Sequence, residues 1–280
     1  MTITKYAAPM MVALLSTSAI ADVTIGGDFE WSYQDNDSAV STAVDADVNI
    51  KPSITTDTGL TISADLNFNQ DGGDDGGNSL TIKNDQFALD LGDVNSALDA
   101  IDDKTDWGYV LTNGSPSVDH AAILSLTPIT GLKVNASYAT GDDYGTTAGE
   151  GYAFSGSYAI GEIATVGAGK MYNADDSEAV IMNVSGSAGP IGLAAELYTD
   201  TTAAGVDTDT TTMSATYSIG STTVGVETMK AESAGTVSSD ELTWGIHQTV
   251  APGLVAFVEM TSDDKTASEK TTAIGLAMTF

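Results

Sequence analysis

The sequence predicts an all-β protein, a transmembrane antiparallel up-and-down β-barrel of about 16 strands. Three observations predict it. Apolar residues alternate with polar or small ones along almost the whole chain, and a period of two belongs to strands. The connections alternate between short turns and longer acidic stretches, which describes a meander. No helical pattern is available to cover the apolar face, and a two-sheet sandwich, though possible at this size, does not explain the strict alternation of short turns and long loops. About 16 strands enclose a lumen too wide for side chains to fill, so the apolar face is left to lipid and the polar face to water.

The first 21 residues, MTITKYAAPMMVALLSTSAIA, carry one charge (Lys5), an apolar stretch over residues 7–15 and the small-x-small triplet Ala19-Ile20-Ala21. They read as a secretory signal peptide cut after Ala21, which leaves 22–280 as one barrel domain. No later segment reaches the ~18 consecutive apolar residues of a membrane helix.

The strands then follow in order. DVTIGGDFEWSYQ sets Val23, Ile25, Phe29, Trp31 and Tyr33 against Thr24, Asp28, Glu30 and Ser32. The second strand sets Val40, Val44, Val48 and Ile50 against Asp45, Asp47, Asn49 and Lys51; the third sets Leu60, Ile62, Leu66 and Phe68 against Ser63, Asp65 and Asn67. A short fourth strand has Leu80 and Ile82 against Lys83, and the fifth has Phe87, Leu89 and Leu91 against Asp90. The sixth, near residues 120–127, is ambiguous because Ile123, Leu124 and Leu126 do not alternate cleanly. The seventh has Leu132, Val134 and Tyr138 against Lys133, and the eighth has Tyr152, Phe154, Tyr158 and Ile160 against Ser155 and Ser157. The ninth, near residues 163–172, is weak. The tenth to sixteenth centre on Met182, Leu193, Tyr217, Val224, Trp244, Val258 and the terminal TTAIGLAMTF. Glu196, Glu227 and Glu259 fall on their polar faces. Among the long connections are DNDSA, QDGGDDGGN, NADDS, TDTTAAGVDTD and AESAGTVSSD.

Aromatic residues fall at both ends of the apolar face. Trp31, Tyr33, Phe68 and Tyr138 lie at the long-loop ends, and Tyr158, Tyr217 and Phe280 at the short-turn ends. Two such belts suit two membrane interfaces, because an aromatic ring with a polar tip is apolar on its body and wet at its edge.

Composition narrows the function classes. The chain has 39 acidic residues, 9 basic ones (all lysine) and no cysteine, for a net charge of −30. A chain this acidic attracts cations and does not bind nucleic acid through its phosphates. It has no disulfide or thiolate chemistry. His120 and His247 have no metal-ligand spacing, and no nucleophile motif, P-loop or zinc signature is present. The reading is therefore no enzyme and no cofactor. Asp71-Gly72-Gly73-Asp74-Asp75 offers hard oxygens to a weakly held calcium ion, but a flexible acidic loop is the preferred reading because a full ligand spacing is missing.

Several stretches resemble one family. KPSITTDTGLTISADLN, FALDLGDVNSALDAI and LTPITGLKVNASY occur in an order that resembles alphaproteobacterial general porins of the Rhodobacter type, and the terminal phenylalanine strand resembles the signal read by the outer-membrane assembly machinery through Phe280. The resemblance implies a homotrimer in the outer membrane of a Gram-negative bacterium, in contact with its lipid. It also implies that the loop after strand 5, residues 93–117, folds inward and narrows the pore. That loop would place Asp93, Asp99, Asp102, Asp103 and Asp106 at a constriction. The family sets arginines on the facing wall, but here only Lys51, Lys83 and Lys133 are available, near the short-turn ends. Asp45, Asp47, Asp65 and Asp90 add to an acidic wall, and a pore ringed by carboxylates favours cations. The expectation is a passive diffusion channel for small hydrophilic solutes and ions. The alternatives are a structural or adhesive outer-membrane barrel with little channel activity, or a soluble secreted β-protein.

Overall fold

The computed structural model describes residues 22–36, 39–69, 78–102, 105, 119–139, 150–265 and 270–280. Its strands are β1 (Asp22–Asp35), β2 (Val40–Thr55), β3 (Thr61–Asn69), β4 (Ser79–Lys83), β5 (Phe87–Asn95) and β6 (Asp119–Ile129). They continue with β7 (Leu132–Ala139), β8 (Gly151–Ile160), β9 (Ala164–Asn173), β10 (Glu178–Ala188) and β11 (Ile191–Thr201). The last are β12 (Asp207–Ile219), β13 (Thr222–Ser233), β14 (Thr236–Ala251), β15 (Leu254–Asp263) and β16 (Lys270–Thr279). Each strand pairs antiparallel with its sequence neighbours, and the sheet closes on itself. The expected all-β barrel of 16 strands is thus present.

The closing seam joins β1 to β16, with Phe29 opposite Met278, Trp31 opposite Leu276 and Tyr33 opposite Ile274. Gly27 and Phe280 extend it by exchanging two backbone hydrogen bonds of 3.0 Å. A membrane-spanning sheet needs this closure, because an open edge would leave backbone groups unpaired in lipid. One close approach fixes the seam. A Cβ on Gly275 would lie 2.4 Å from the Trp31 carbonyl oxygen and 2.4 Å from the Phe257 ring, so no larger residue fits there.

The alternation sorts as expected. Val23, Ile25, Trp31, Tyr158, Leu193, Trp244 and Phe280 are among the large apolar side chains exposed on the outer face. Both aromatic belts lie on that face: Trp31, Tyr33, Phe68 and Tyr138 at one end, and Tyr158, Tyr217 and Phe280 at the other. Tyr152 adds to the first belt, stacked on Tyr172 with ring centroids 5.1 Å apart. Lys170 sits beside them on the outer face, 4.7 Å from the centre of the Tyr172 ring and 2.7 Å from Glu178.

Some boundaries differ from expectation. Two segments read as long acidic loops are mostly strand. β11 runs to Thr201 and β12 starts at Asp207, while β13 and β14 are joined by Ala234 and Gly235 alone. Both turn residues have positive φ, 50° and 75°, the requirement of a tight hairpin turn whose twist matches the strands. These extensions are polar on both faces, with Thr199 and Thr201 bonded to Asp209 and Asp207, so they lack the alternation that marked the rest. Likewise β5 continues through Asp93 to Asn95 after a register shift between Leu91 and Val94. The connection that follows it starts at Ser96 rather than Asp93.

Candidate functional site

The inner face holds most of the polar and charged side chains of the membrane-spanning strands, and its chemistry is divided around the circumference. One sector is apolar. Ile123 of β6, Ala153 of β8, Met171 of β9, Ala179 and Ile181 of β10, and Tyr198 of β11 form a cluster with Val94, Ala97, Leu98 and Ile101. Ile181 is fully buried, while its neighbour Met182 is 55% exposed on the outer face. The cluster is therefore on the inside, and residues 96–102 pack against the inner wall. Two hydrogen bonds pin this segment. The Ala97 N–H donates to Ser137 Oγ at 2.7 Å, and Asn183 Nδ2 donates to the Ile101 carbonyl. Gly169 gives the room, since a Cβ there would lie 2.9 Å from the Ser155 Cβ and 3.3 Å from Ile101 Cδ1.

The acids predicted for this connection sort differently from one another. Asp99 accepts a 2.8 Å hydrogen bond from the Ser96 N–H, and Ser96 Oγ accepts one from the Asp99 N–H, so this carboxylate organises the turn. Asp102 is 3% exposed. Asp93 lies in β5, where its N–H donates to the Asn78 carbonyl. Asp103 and Asp106 lie outside the described residues, as do residues 1–21 and the Asp71–Asp75 stretch weighed for calcium.

The opposite sector is acidic. On β1 and β2, Asp28 faces Asp47 and Glu30 faces Asp45 as direct partners on the inner face. Like charges directly opposite repel, and a wet, wide lumen is where they are tolerated. Asp65 of β3 and Asp90 of β5 continue the arc; Asp65 takes Lys51 at 2.7 Å, and Asp90 accepts from Thr81 Oγ1. On the other side of the seam, Glu227 of β13 and Glu259 of β15 are 1% and 0% exposed. His247 Nε2 lies 2.9 Å from Glu259 Oε1, and its ring meets that of Phe257 edge-on. The alternation alone gives the facing of His247 and Glu259, and only their register, two positions apart across β14 and β15, brings them together.

The three wall lysines do not face the pinned segment. Lys83 ends β4, Lys133 is the second residue of β7, and Lys51 is bound to Asp65. From Lys133 to Ser137, where the segment is tied, is about 13 Å along the strand. Among the described residues neither Lys83 nor Lys133 forms an ion pair.

Comparison with known proteins agrees with this architecture. The family model for Gram-negative porins matches residues 7–278. No curated protein matches the chain in sequence. Among solved structures, a porin refined at 1.8 Å is 18% identical, with a TM-score of 0.74 over 92% of this chain and 100% of its own. A mutant of Rh. blastica porin is 16% identical, with a TM-score of 0.75 and the same shares covered. A loop-deletion mutant of OmpT, an outer membrane protein of Vibrio cholerae, is 14% identical, with a TM-score of 0.74 over 93% of this chain and 99% of its own.

Proposed function

Because the chain belongs to the Gram-negative porin family, and so is an outer-membrane channel rather than an enzyme, we propose that its pore passes small hydrophilic solutes and ions with a preference for cations. The observation that carries this reading is the acidic arc of Asp28, Glu30, Asp45 and Asp47 on the inner face of β1 and β2. Fixed carboxylates along a narrow aqueous path raise the local cation concentration and exclude anions. No arginine exists anywhere in the chain to balance them.

In this reading the connection after β5 folds inward as a whole and narrows the pore. The packing of residues 96–102 on the inner wall supports it. The selective charge is then supplied by the wall more than by Asp99, which is taken up in its turn. The same reading makes residues 1–21 a cleaved signal peptide, the assembly a homotrimer, and the Phe280 strand the part engaged by the assembly machinery. Reversal potentials across planar bilayers under a KCl gradient test the central claim. The expected sign is that of a cation-preferring pore. An anion-preferring reversal potential would overturn it, and the absence of step conductance would favour a structural barrel instead.

A further inference from the structure

At its short-turn end, beyond the cluster that holds residues 96–102, the sector of the inner face built by β8–β12 is neither acidic nor packed. By register, β8, β9, β10 and β12 bring no acidic or basic side chain to the inner face, and β11 brings only Glu196 and Asp200. At the short-turn ends of β9–β12 this sector forms a recess of about 520 Å³. Thr165, Ser185, Ser187, Ser214 and Thr216 line it with hydroxyls, and Glu162 stands in the turn at its rim. The depth comes partly from Gly192, where a Cβ would lie 2.5 Å from Thr216 Oγ1.

These hydroxyls are unspent. Several hydroxyls elsewhere on the inner face bond to one another or to amides. Ser125 Oγ donates to Asn135 Oδ1 at 2.8 Å, Asn135 Nδ2 donates to Ser155 Oγ at 2.9 Å, and Thr243 pairs with Thr261 at 2.7 Å. Among the described residues, none of the five recess hydroxyls has a side-chain hydrogen-bond partner. Each can both donate and accept. Three neighbouring strands, β10, β11 and β12, present them in register: Ser185 is opposite Ala194, which is opposite Ser214, and Ser187 is opposite Gly192, which is opposite Thr216.

We propose that this recess is a binding subsite for a neutral polyhydroxylated solute of mono- or disaccharide size. The volume is within the range of small-molecule sites. A sugar would exchange its water hydrogen bonds for these hydroxyls without stripping water from a fixed charge, whereas the acidic arc opposite would hold cations. Glu162 at the rim can accept from a pair of adjacent sugar hydroxyls. The pore would then carry two unlike solutes along two walls. This proposal rests on the channel reading above and deepens it.

The test titrates maltose against the refolded barrel in two ways, as block of single-channel current and as saturation-transfer NMR in detergent. The variants are Ser185→Ala/Ser214→Ala/Thr216→Val and, separately, Gly192→Leu, which fills the recess. Each is checked first for a folded, heat-modifiable barrel, with Thr216→Val alone as the mildest form. Maltose is expected to bind the parent, and the triple variant to need about tenfold more or higher for the same effect, from three lost hydrogen bonds. Conductance without sugar should be unchanged. Gluconate, an anion of similar size, should bind more weakly than maltose. Equal maltose block and NMR transfer in parent and both variants would overturn the recess, as would no binding to the parent while current flows. Loss of NMR binding in the variants with no current in the parent would keep the recess and overturn the channel reading.

Discussion

Replacing Ile101 by alanine should release residues 96–102 from the inner wall. Ile101 is fully buried in the inner cluster, beside Gly169 and the side chain of Ser155. Large-to-small replacement of a buried isoleucine costs about 2–5 kcal/mol, more where the surroundings cannot collapse into the space. The surroundings here are strands β8 and β9 held by their own ladder, so the upper part of that range, about 3–5 kcal/mol, applies. At about 1.4 kcal/mol per tenfold, the detached population rises about 100-fold to several thousand-fold. The chain has no cysteine, so Leu98→Cys places a single thiol under the segment. Its alkylation rate reads the open population when reclosing is fast. The rate should rise by that factor in Ile101→Ala and by about 2- to 12-fold in Ile101→Val, which loses one methylene. Asn183→Leu, which leaves the Ile101 carbonyl unpaired, should fall between them. Equal alkylation rates in Leu98→Cys with and without Ile101→Ala would show that burial of this side chain does not hold the segment.

Four further outcomes are expected. Asp28→Asn and Asp45→Asn should each reduce the cation-to-anion permeability ratio about twofold in 10 mM salt, the effect of one charge about 10 Å from the permeating ion, and much less in 1 M salt; bilayer reversal potentials check this. Gly275→Leu should give no heat-modifiable barrel on gel electrophoresis, because the Trp31 backbone cannot move aside without opening the seam. Ala234→Gly should raise stability to guanidinium by about 1 kcal/mol by relieving a left-handed alanine, with no change in conductance. Phe280→Ser should lower the amount of protein in the outer membrane severalfold, while refolding of the purified chain into detergent is little affected.

The barrel could be read from the sequence because two solvents write a period of two, and that pattern holds in β1–β3, β7, β8 and β11–β16. It failed where a third environment intervenes. β6 was ambiguous because Leu124 faces out while Ile123 faces the cluster under residues 96–102. β10 hides the same feature, with Val180, Ile181 and Met182 all apolar. β9 was weak because Gly169 must stay small where Ile101 approaches. The alternation assigns the wall acids to the polar face, but single-strand periodicity says nothing of height. It could not show that Lys83 and Lys133 stand far below the pinned segment, nor that Asp99 is occupied by Ser96. The hydroxyl recess lay in the same gap. Serine and threonine are common throughout the chain, and only register puts five of them together.

The seam between β1 and β16 also constrains how this chain can change in length. Its partners Asp28 and Thr279 lie about 250 positions apart, so closing the ring costs about 5 kcal/mol of loop entropy before a single pair forms. Removing one strand would leave two unmatched edges and send the two ends to opposite membrane faces. Removing a hairpin would leave both matched. Deletion or duplication in steps of two strands with their turn keeps the antiparallel seam intact, so the whole hairpin is the unit in which this barrel changes length at least cost.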